Sequence, residues 1–194
     1  MLDTLASVKI YLGVTVATYD DVITAMIVSA GLSMAGRDGA QRTLESGSRT
    51  EIQSGVSGYR LYLAEPVDPA GDITTIHVSS EQEWTATNLV AADDYLLDAN
   101  NREIVERLDA VWPRSQRNIR VVYPIGFATT PGDVRLALWA QVARMYSAWK
   151  AAQEGRDILD TETVEGWSQK YLAHTGLDPA AADILRRYRP LGMF

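Results

Sequence analysis

Hydrophobic positions recur at helical spacing near both ends of the chain and alternate with polar ones in its middle. Leu5, Val8 and Leu12 share one side of a short helix expected over 4–12, ahead of Gly13. So short a helix persists only when docked on something else. Thr18 and Asp21 have the spacing of a capping box, and Val22, Ile23, Met26, Ile27 and Ala30 form an apolar stripe, predicting a second helix over 20–34. Gly36 and Gly39 are its stop signals, because glycine takes left-handed backbone angles cheaply.

From 42 to 127 short β-branched and aromatic runs are divided by Gly, Pro, Asp and Asn, the pattern of a β-rich extension. Tyr59, Leu61 and Leu63 alternate with Arg60 and Tyr62. After the turn-forming Pro69-Ala70-Gly71-Asp72, Ile73 to Val78 forms a second strand, and the two are expected to pair as a long hairpin. Tyr95 to Leu97 and Glu103 to Val105 flank Asp98-Ala99-Asn100-Asn101 and predict a tighter hairpin, since Asn and Asp tolerate positive φ. Ile119 to Tyr123 closes the set.

Pro131 and Asp133 open the clearest helix, over 131–150: Pro lacks an N–H where none is needed, and the acid suits the positive helix end. Val134, Leu138, Val142, Met145 and Trp149 form one stripe, and Leu136, Trp139, Ala143 and Tyr146 a second. A helix this apolar needs cover on several sides, which makes Trp139, Tyr146 and Trp149 candidate subunit-interface residues. Val164, Trp167 and Tyr171 predict a further helix over 163–174. Asp178 as N-cap and Pro179 at the first position then open a terminal helix running into Arg186-Arg187-Tyr188-Arg189-Pro190, and the tail reads as an arm that orders against another surface. The resulting class is α+β: a helical bundle of about four helices with an inserted β-rich extension of hairpins. Residues 1–177 form one domain, and 178–194 a C-terminal helix and arm.

Composition narrows the function. The 18 Lys and Arg against 25 Asp and Glu leave a net charge of -7 over 194 residues, against the basic surplus needed to grip phosphates. Without cysteine there is neither a disulfide framework nor a thiolate ligand, as suits a protein assembled in a reducing cytoplasm. Met1 to Leu12 lacks the features of a signal peptide, and no segment approaches the ~20 apolar residues of a bilayer span, so a soluble protein without membrane contact is expected.

Candidate chemistry is sparse, and no catalytic residue, metal site or cofactor is called for. His77 and His174 are too far apart in sequence for a one-turn metal pair; the first reads as a strand residue, the second as an ordinary helix-end residue. Asp93, Asp94 and Asp98 lack the calcium-loop pattern and read as turn residues, although they are the carboxylates that a small hydrolytic or carbohydrate-active enzyme would use. Ser46-Gly47-Ser48 and Ser54 to Gly58 lack the lysine of a phosphate loop. Arg114, Arg117 and Arg120, beside Trp112 and Pro113, read as a solvated face.

The order of segments is more telling than any site. A short helix with Lys9, an Asp-Asp-capped helix, a strand into Glu65-Pro66-Val67 and the run Asp94 to Asp98 come first. Asn118 to Tyr123 followed by Gly126-Phe127, then Pro131-Gly132-Asp133-Val134 with Ala137 leading into a helix, complete it. This order resembles the head-to-tail connector, or adaptor, family of long-tailed bacteriophages and phage-like gene transfer agents. The resemblance runs from about Leu5 to Tyr146 and includes Leu185 to Pro190. It implies a structural virion protein of the neck, assembled in the bacterial host cytoplasm, that forms a ring, dodecameric in the usual case, beneath the portal. It further implies that Leu185, Arg186, Arg187, Tyr188, Arg189 and Pro190 bind the portal protein, that the next neck, stopper or tail protein binds the other face, and that DNA passes through the lumen without sequence-specific binding. A stopper or tail-completion protein, the neighbouring alternative, would be mostly β and lack the basic end.

Overall fold

A computed structural model describes residues 2–154, 162–164, 167–169 and 176–190. Helix α1 (Leu5–Leu12) starts where the Thr4 hydroxyl accepts the Ser7 amide at 3.2 Å, and ends at Gly13, whose φ of 67° lets its amide reach the Lys9 and Ile10 carbonyls. Helix α2 (Asp20–Ala35) follows a single 3₁₀ turn at Ala17–Tyr19. The capping box expected at Thr18 is not used, since no side chain caps this end. Two acids in its first turn face the positive helix end instead, and Lys9 Nζ holds the first of them, 2.5 Å from Asp20 and 3.0 Å from the Val16 carbonyl.

Helix α3 (Gly132–Gln153) begins at Pro131 as read from the sequence and runs three residues beyond its expected end. Helix α4 (Pro179–Arg186) is capped as expected, the Asp178 carboxylate accepting the Ala180 and Ala181 amides at 2.9 and 3.3 Å. These helices make the helical unit, built from Met1–Gln41 and Thr130–Arg189. Within it α3 packs against α2 and α4, and α1 against α2 and α3. Val8, Ile23, Ile27, Ala30, Met34, Val134, Leu138, Val142 and Leu185 are sealed in its core.

The β unit, made of Arg42–Thr129 together with Pro190–Phe194, holds two three-stranded antiparallel sheets. In the first, β1 (Gly47–Gly55) and β3 (Thr75–Val78) flank the long β6 (Ser115–Ile125); in the second, β2 (Arg60–Tyr62) and β4 (Tyr95–Leu97) flank β5 (Ile104–Arg107). The tight hairpin expected around residues 98–101 is β4–β5, with Leu97 opposite Val105. The long hairpin is not formed. β2 pairs with β5 and β3 with β6, because the linker between them is pinned elsewhere: Leu63 and Val67 donate to the Glu103 and Arg102 carbonyls, and Asp68 to that of Pro124. The inward residues of both sheets, including Leu61, Ile76, Val105, Ile119, Val121 and Tyr123, close on Trp112 to form one core.

A second departure lies at residues 163–174, expected as helix. Strands β7 (Glu162–Val164) and β8 (Trp167–Gln169) stand there instead, with Val164 opposite Trp167. Thr163, Val164 and Trp167 are strand-prone, and Gly166 would cost a helix interior about 1 kcal/mol. The three-residue spacing of Val164 and Trp167, which mimics a helical face, is equally the spacing across a two-residue hairpin connection. Tyr171 and His174 lie outside the described residues. The class is nevertheless α+β, with four helices and two three-stranded sheets among the described elements, none of the helices being by itself long and apolar enough to cross a membrane.

The register of β1 on β6 depends on a buried polar residue. The pairing shifts between Gln53 and Gly55, where Asn118, 2% exposed, accepts the Gly55 amide at 2.9 Å and donates to the Pro113 carbonyl at 2.9 Å. Gly55 is required there, because a Cβ would lie 1.9 Å from the Pro113 oxygen. Asn118→Ala is expected to leave both backbone groups without partners and lower stability by about 2–4 kcal/mol in urea unfolding; an unchanged midpoint would show that the bulge holds without its clamp.

Candidate functional site

The C-terminal segment closes the helical unit beyond α3. Six residues there, Leu185 to Pro190, were expected from the resemblance to bind the portal, and the structure divides them into two groups. Leu185 is fully buried in the helical unit. Beyond α4 the chain turns, and the Tyr188 hydroxyl donates to the Asp133 carboxylate, 2.7 and 2.9 Å from its two oxygens. The Arg189 guanidinium donates to the Gly39 carbonyl at 2.8 Å and the Asp38 carbonyl at 3.1 Å. Arg186 and Arg187 are exposed, Arg186 with only a 3.6 Å approach to Asp183. Pro190 is half-buried. The segment is therefore fastened to its own unit at Leu185, Tyr188 and Arg189 and presents two adjacent arginines at the C-terminal end of α4. The rest of the expected arm, residues 191–194, lies outside the described residues.

The physical reason is a set of matched partners. Asp133 opens α3 and bonds its neighbour Val134 through the backbone amide at 2.9 Å while receiving the tyrosine hydroxyl. Arg189 meets carbonyls of the turn after α2, where Gly39 passes so close to Met34 that a Cβ would sit 2.0 Å from the Met34 oxygen. Gln141, buried on α3, accepts the Asp178 amide at 2.7 Å and so fixes the start of α4. These ties join residues 37 to 151 positions apart, so no local pattern announces them.

The aromatic stripe of α3 is largely engaged inside the helical unit. Trp139 donates its indole N–H to Asp3 at 2.7 Å and stacks on Tyr11 with centroids 5.3 Å apart. Tyr146 and Trp149 are 5.8 Å apart, and Tyr19 meets them at 6.3 and 5.4 Å. All three are half-buried. Their cover comes from α1 and the turn before α2, the docking that so short a first helix requires.

The β unit carries its charges as a network. Arg49 binds Glu51 at 2.8 Å and Glu65 at 2.5 Å; Glu65 accepts the Thr43 amide at 2.6 Å, and Glu51 accepts the Tyr123 hydroxyl. Burial, and then the Glu51 carboxylate, push the Tyr123 hydroxyl well above its usual range. Arg42 stacks over Phe127 at 5.1 Å, and its pKa is lowered by burial against the opposing pull of Glu65, Glu103 and Asp68. The network fastens strands and linker to one another.

The remaining candidates are scattered. His77 lies in β3, edge-to-face with Trp84 at 6.5 Å, and burial followed by Arg120 lowers its pKa. Asp93 and Asp94 sit exposed in a 3₁₀ turn, and Asp98 accepts the Asn100 and Asn101 amides at 2.8 and 3.0 Å, bonds that hold its pKa below the usual carboxylate value. A cavity of about 480 Å³ lies among Leu5, Lys9, Ile10, Val14 and Asp20, away from those acids in the sequence. Arg114 and Arg117 are exposed, and Arg120 pairs across the sheet with His77 and Ile52. Among the described residues no group of three His, Cys, Asp or Glu is placed to hold a metal ion.

No protein-family model matches the sequence, and no curated protein matches it. The fold, by contrast, matches solved structures along the whole chain. A chain from the neck of an empty GTA particle, computed with C6 symmetry, aligns with a TM-score of 0.64 and 17% identity over 100% of this chain and 92% of its own length. A chain from the virion of a native gene transfer agent particle gives 0.64 and 18% over 100% and 92%. One from the neck of the native GTA particle, computed with C12 symmetry, gives 0.54 and 18% over 98% and 90%. At such identities the likeness is one of fold: this chain has the fold of gene transfer agent neck and virion chains, from end to end.

Tyr188 offers a direct readout of the fastening. Burial and the Asp133 carboxylate push its pKa up to about 12 from an ordinary value of 10.0. A group raised in the folded state contributes stability that is in place below about pH 10 and lost as pH rises through about 12. Ultraviolet titration should show one tyrosine near 12 that disappears in Tyr188→Phe, and the stability gap between the two proteins should close across that window. A gap independent of pH would disconnect the hydroxyl from the fastening.

Proposed function

We propose that this chain is a structural virion protein, the head-to-tail connector or adaptor of a tailed bacteriophage or gene transfer agent, and that it is not an enzyme. The observation that carries the reading is the full-length fold match to neck and virion chains of gene transfer agents, covering the helices and the β unit alike. The necks matched were computed with C6 and C12 symmetry, and a dodecameric ring, the stoichiometry proposed for this chain, contains both. In this reading the ring sits beneath the portal in the virion neck, having been assembled in the host cytoplasm. It extends the DNA channel and offers its far face to the next neck, stopper or tail protein. A net charge of -7 suits a lumen that a polyanion slides through without sticking.

Leu185 to Pro190 is the proposed portal-binding segment, with the roles divided by the geometry: Leu185, Tyr188 and Arg189 hold it in place, and Arg186 and Arg187 make the outward contact. Trp139, Tyr146 and Trp149 border the proposed subunit interface while supporting α1 from within. The helical unit, with α3 at its centre, favours an adaptor over a mostly β stopper.

The test is the mass of the purified chain with and without its portal, by light scattering followed by electron microscopy. Rings that form on the portal, or alone at high concentration, are expected; a chain that stays monomeric and ignores the portal would overturn the reading. Arg186→Glu with Arg187→Glu is expected to leave melting unchanged and weaken portal association at least about tenfold, a loss of about 1.4 kcal/mol or more. Unchanged association would move the contact elsewhere.

A further inference from the structure

Helix α2 has an outward face unlike that of an ordinary surface helix. Asp21, Ala25, Val28 and Leu32 recur at intervals of four, three and four residues along one side, and all four are exposed, Val28 at 50% and Leu32 at 72%. From Val22 to Gly36 the chain contains no Asp, Glu, Lys or Arg. Solvent-facing helix surfaces normally carry such charges, whereas contiguous exposed apolar side chains rimmed by charge mark association.

A second outward stripe lies on α3, beside the engaged aromatics. Leu136 (48% exposed), Ala140, Ala143, Ser147 and Lys150 recur at intervals of four, three, four and three residues, with Ser147 and Lys150 exposed and the two alanines half-buried. The two stripes complement one another. The first has an acid at its N-terminal end and two large apolar side chains; the second has a base at its C-terminal end and small residues at its middle. At 1.5 Å per residue, Asp21 to Leu32 spans roughly 16 Å and Leu136 to Lys150 roughly 21 Å. Laid antiparallel, Asp21 faces Lys150, Val28 meets Ala143, and Leu32 meets Ala140, which places large residues in small gaps with opposite charges at one end.

Since α2 and α3 pack on each other within one unit, these outward stripes cannot meet in the same subunit. We infer that the outward face of α2 in one copy packs antiparallel on the Leu136–Lys150 stripe of α3 in the next. The occupant of each face is thus a second copy of this chain. The contact joins two different surfaces, the head-to-tail geometry that closes into a ring and that an isologous pair cannot supply. The inference rests on the ring reading proposed above and deepens it.

The experiment uses the full chain with and without its portal, following ring formation by sedimentation and electron microscopy. Val28→Glu with Leu32→Glu, both at exposed positions, is expected to keep the circular dichroism and melting of the parent and lose ring formation. Asp21→Lys and Lys150→Asp are each expected to weaken assembly, and the double exchange, which restores opposite charges, to recover most of the loss. Rings from a folded Val28→Glu, Leu32→Glu protein would overturn the interface while leaving the ring reading intact, as would two impaired single exchanges whose combination is no better. A parent chain that makes no rings on the portal would overturn the ring reading and this contact with it. Flotation of the parent chain with phosphatidylcholine vesicles, lost on Val28→Glu with Leu32→Glu, would assign the face to a lipid surface and overturn the inference.

Discussion

Helix α3 carries apolar or small residues on nearly every side, and water cannot be allowed to touch most of them. Val134, Ala137, Leu138 and Val142 are buried, and the helices packed on them are α2 and α4, themselves too short or too weakly capped to stand alone. Trp139, Tyr146 and Trp149 recruit Tyr11 and Tyr19, and with them α1 and the turn before α2. The buried Gln141 accepts the amide that starts α4, and Asp133 at the helix's first turn accepts the hydroxyl that ends the described chain's course around the unit. Cover for one helix thus governs how the other three lie, where α4 begins and where the C-terminal segment is fastened.

The β unit solves a different problem with different means. Apart from β1 and β6 its strands are short, and several of the ties between them are ionic or side chain to backbone. Glu65 receives Thr43 and Arg49 together, Glu51 receives Arg49 and Tyr123, and Arg102 reaches the Val67 and Asp68 carbonyls at 3.3 and 3.0 Å. Removing one partner from such a set leaves another without compensation, which makes these contacts poor sites for variation and good determinants of register. The same arrangement accounts for the carboxylates of Glu51 and Glu65, each of which accepts several donors from its own sheet and linker.

What could be read from the sequence was what is decided locally. Asp178 before Pro179, Pro131 before Asp133 and the Asp98 turn are set by atoms a few residues apart, and each appears where its pattern places it. Partners chosen at long range could not be read in the same way. Nothing in Arg60 to Tyr62 says that its neighbour is β5 and not β3, because alternation sets a face and leaves the partner open. The Val164–Trp167 spacing fits helix and hairpin alike, and Gly166 with its strand-prone neighbours was the signal that decides between them. At the C-terminus, composition alone could not separate the arginine that is tied back, Arg189, from the two that face outward, since that distinction is made by the Gly39 and Asp38 carbonyls some 150 residues earlier.

The distribution of charge finally bears on why such a chain suits assembly. An acidic protein resists association with itself through general repulsion, so any contact between copies has to be local and of opposite sign. In the helical unit the charges of α2 are confined to its first turn, and Arg186 and Arg187 stand exposed at the tip of α4. An apolar stripe between charged ends gains from excluding water along its length and gains orientation from its termini. A surface built that way is unremarkable on an isolated subunit in dilute solution, and it becomes decisive once a template holds several copies side by side and raises their local concentration.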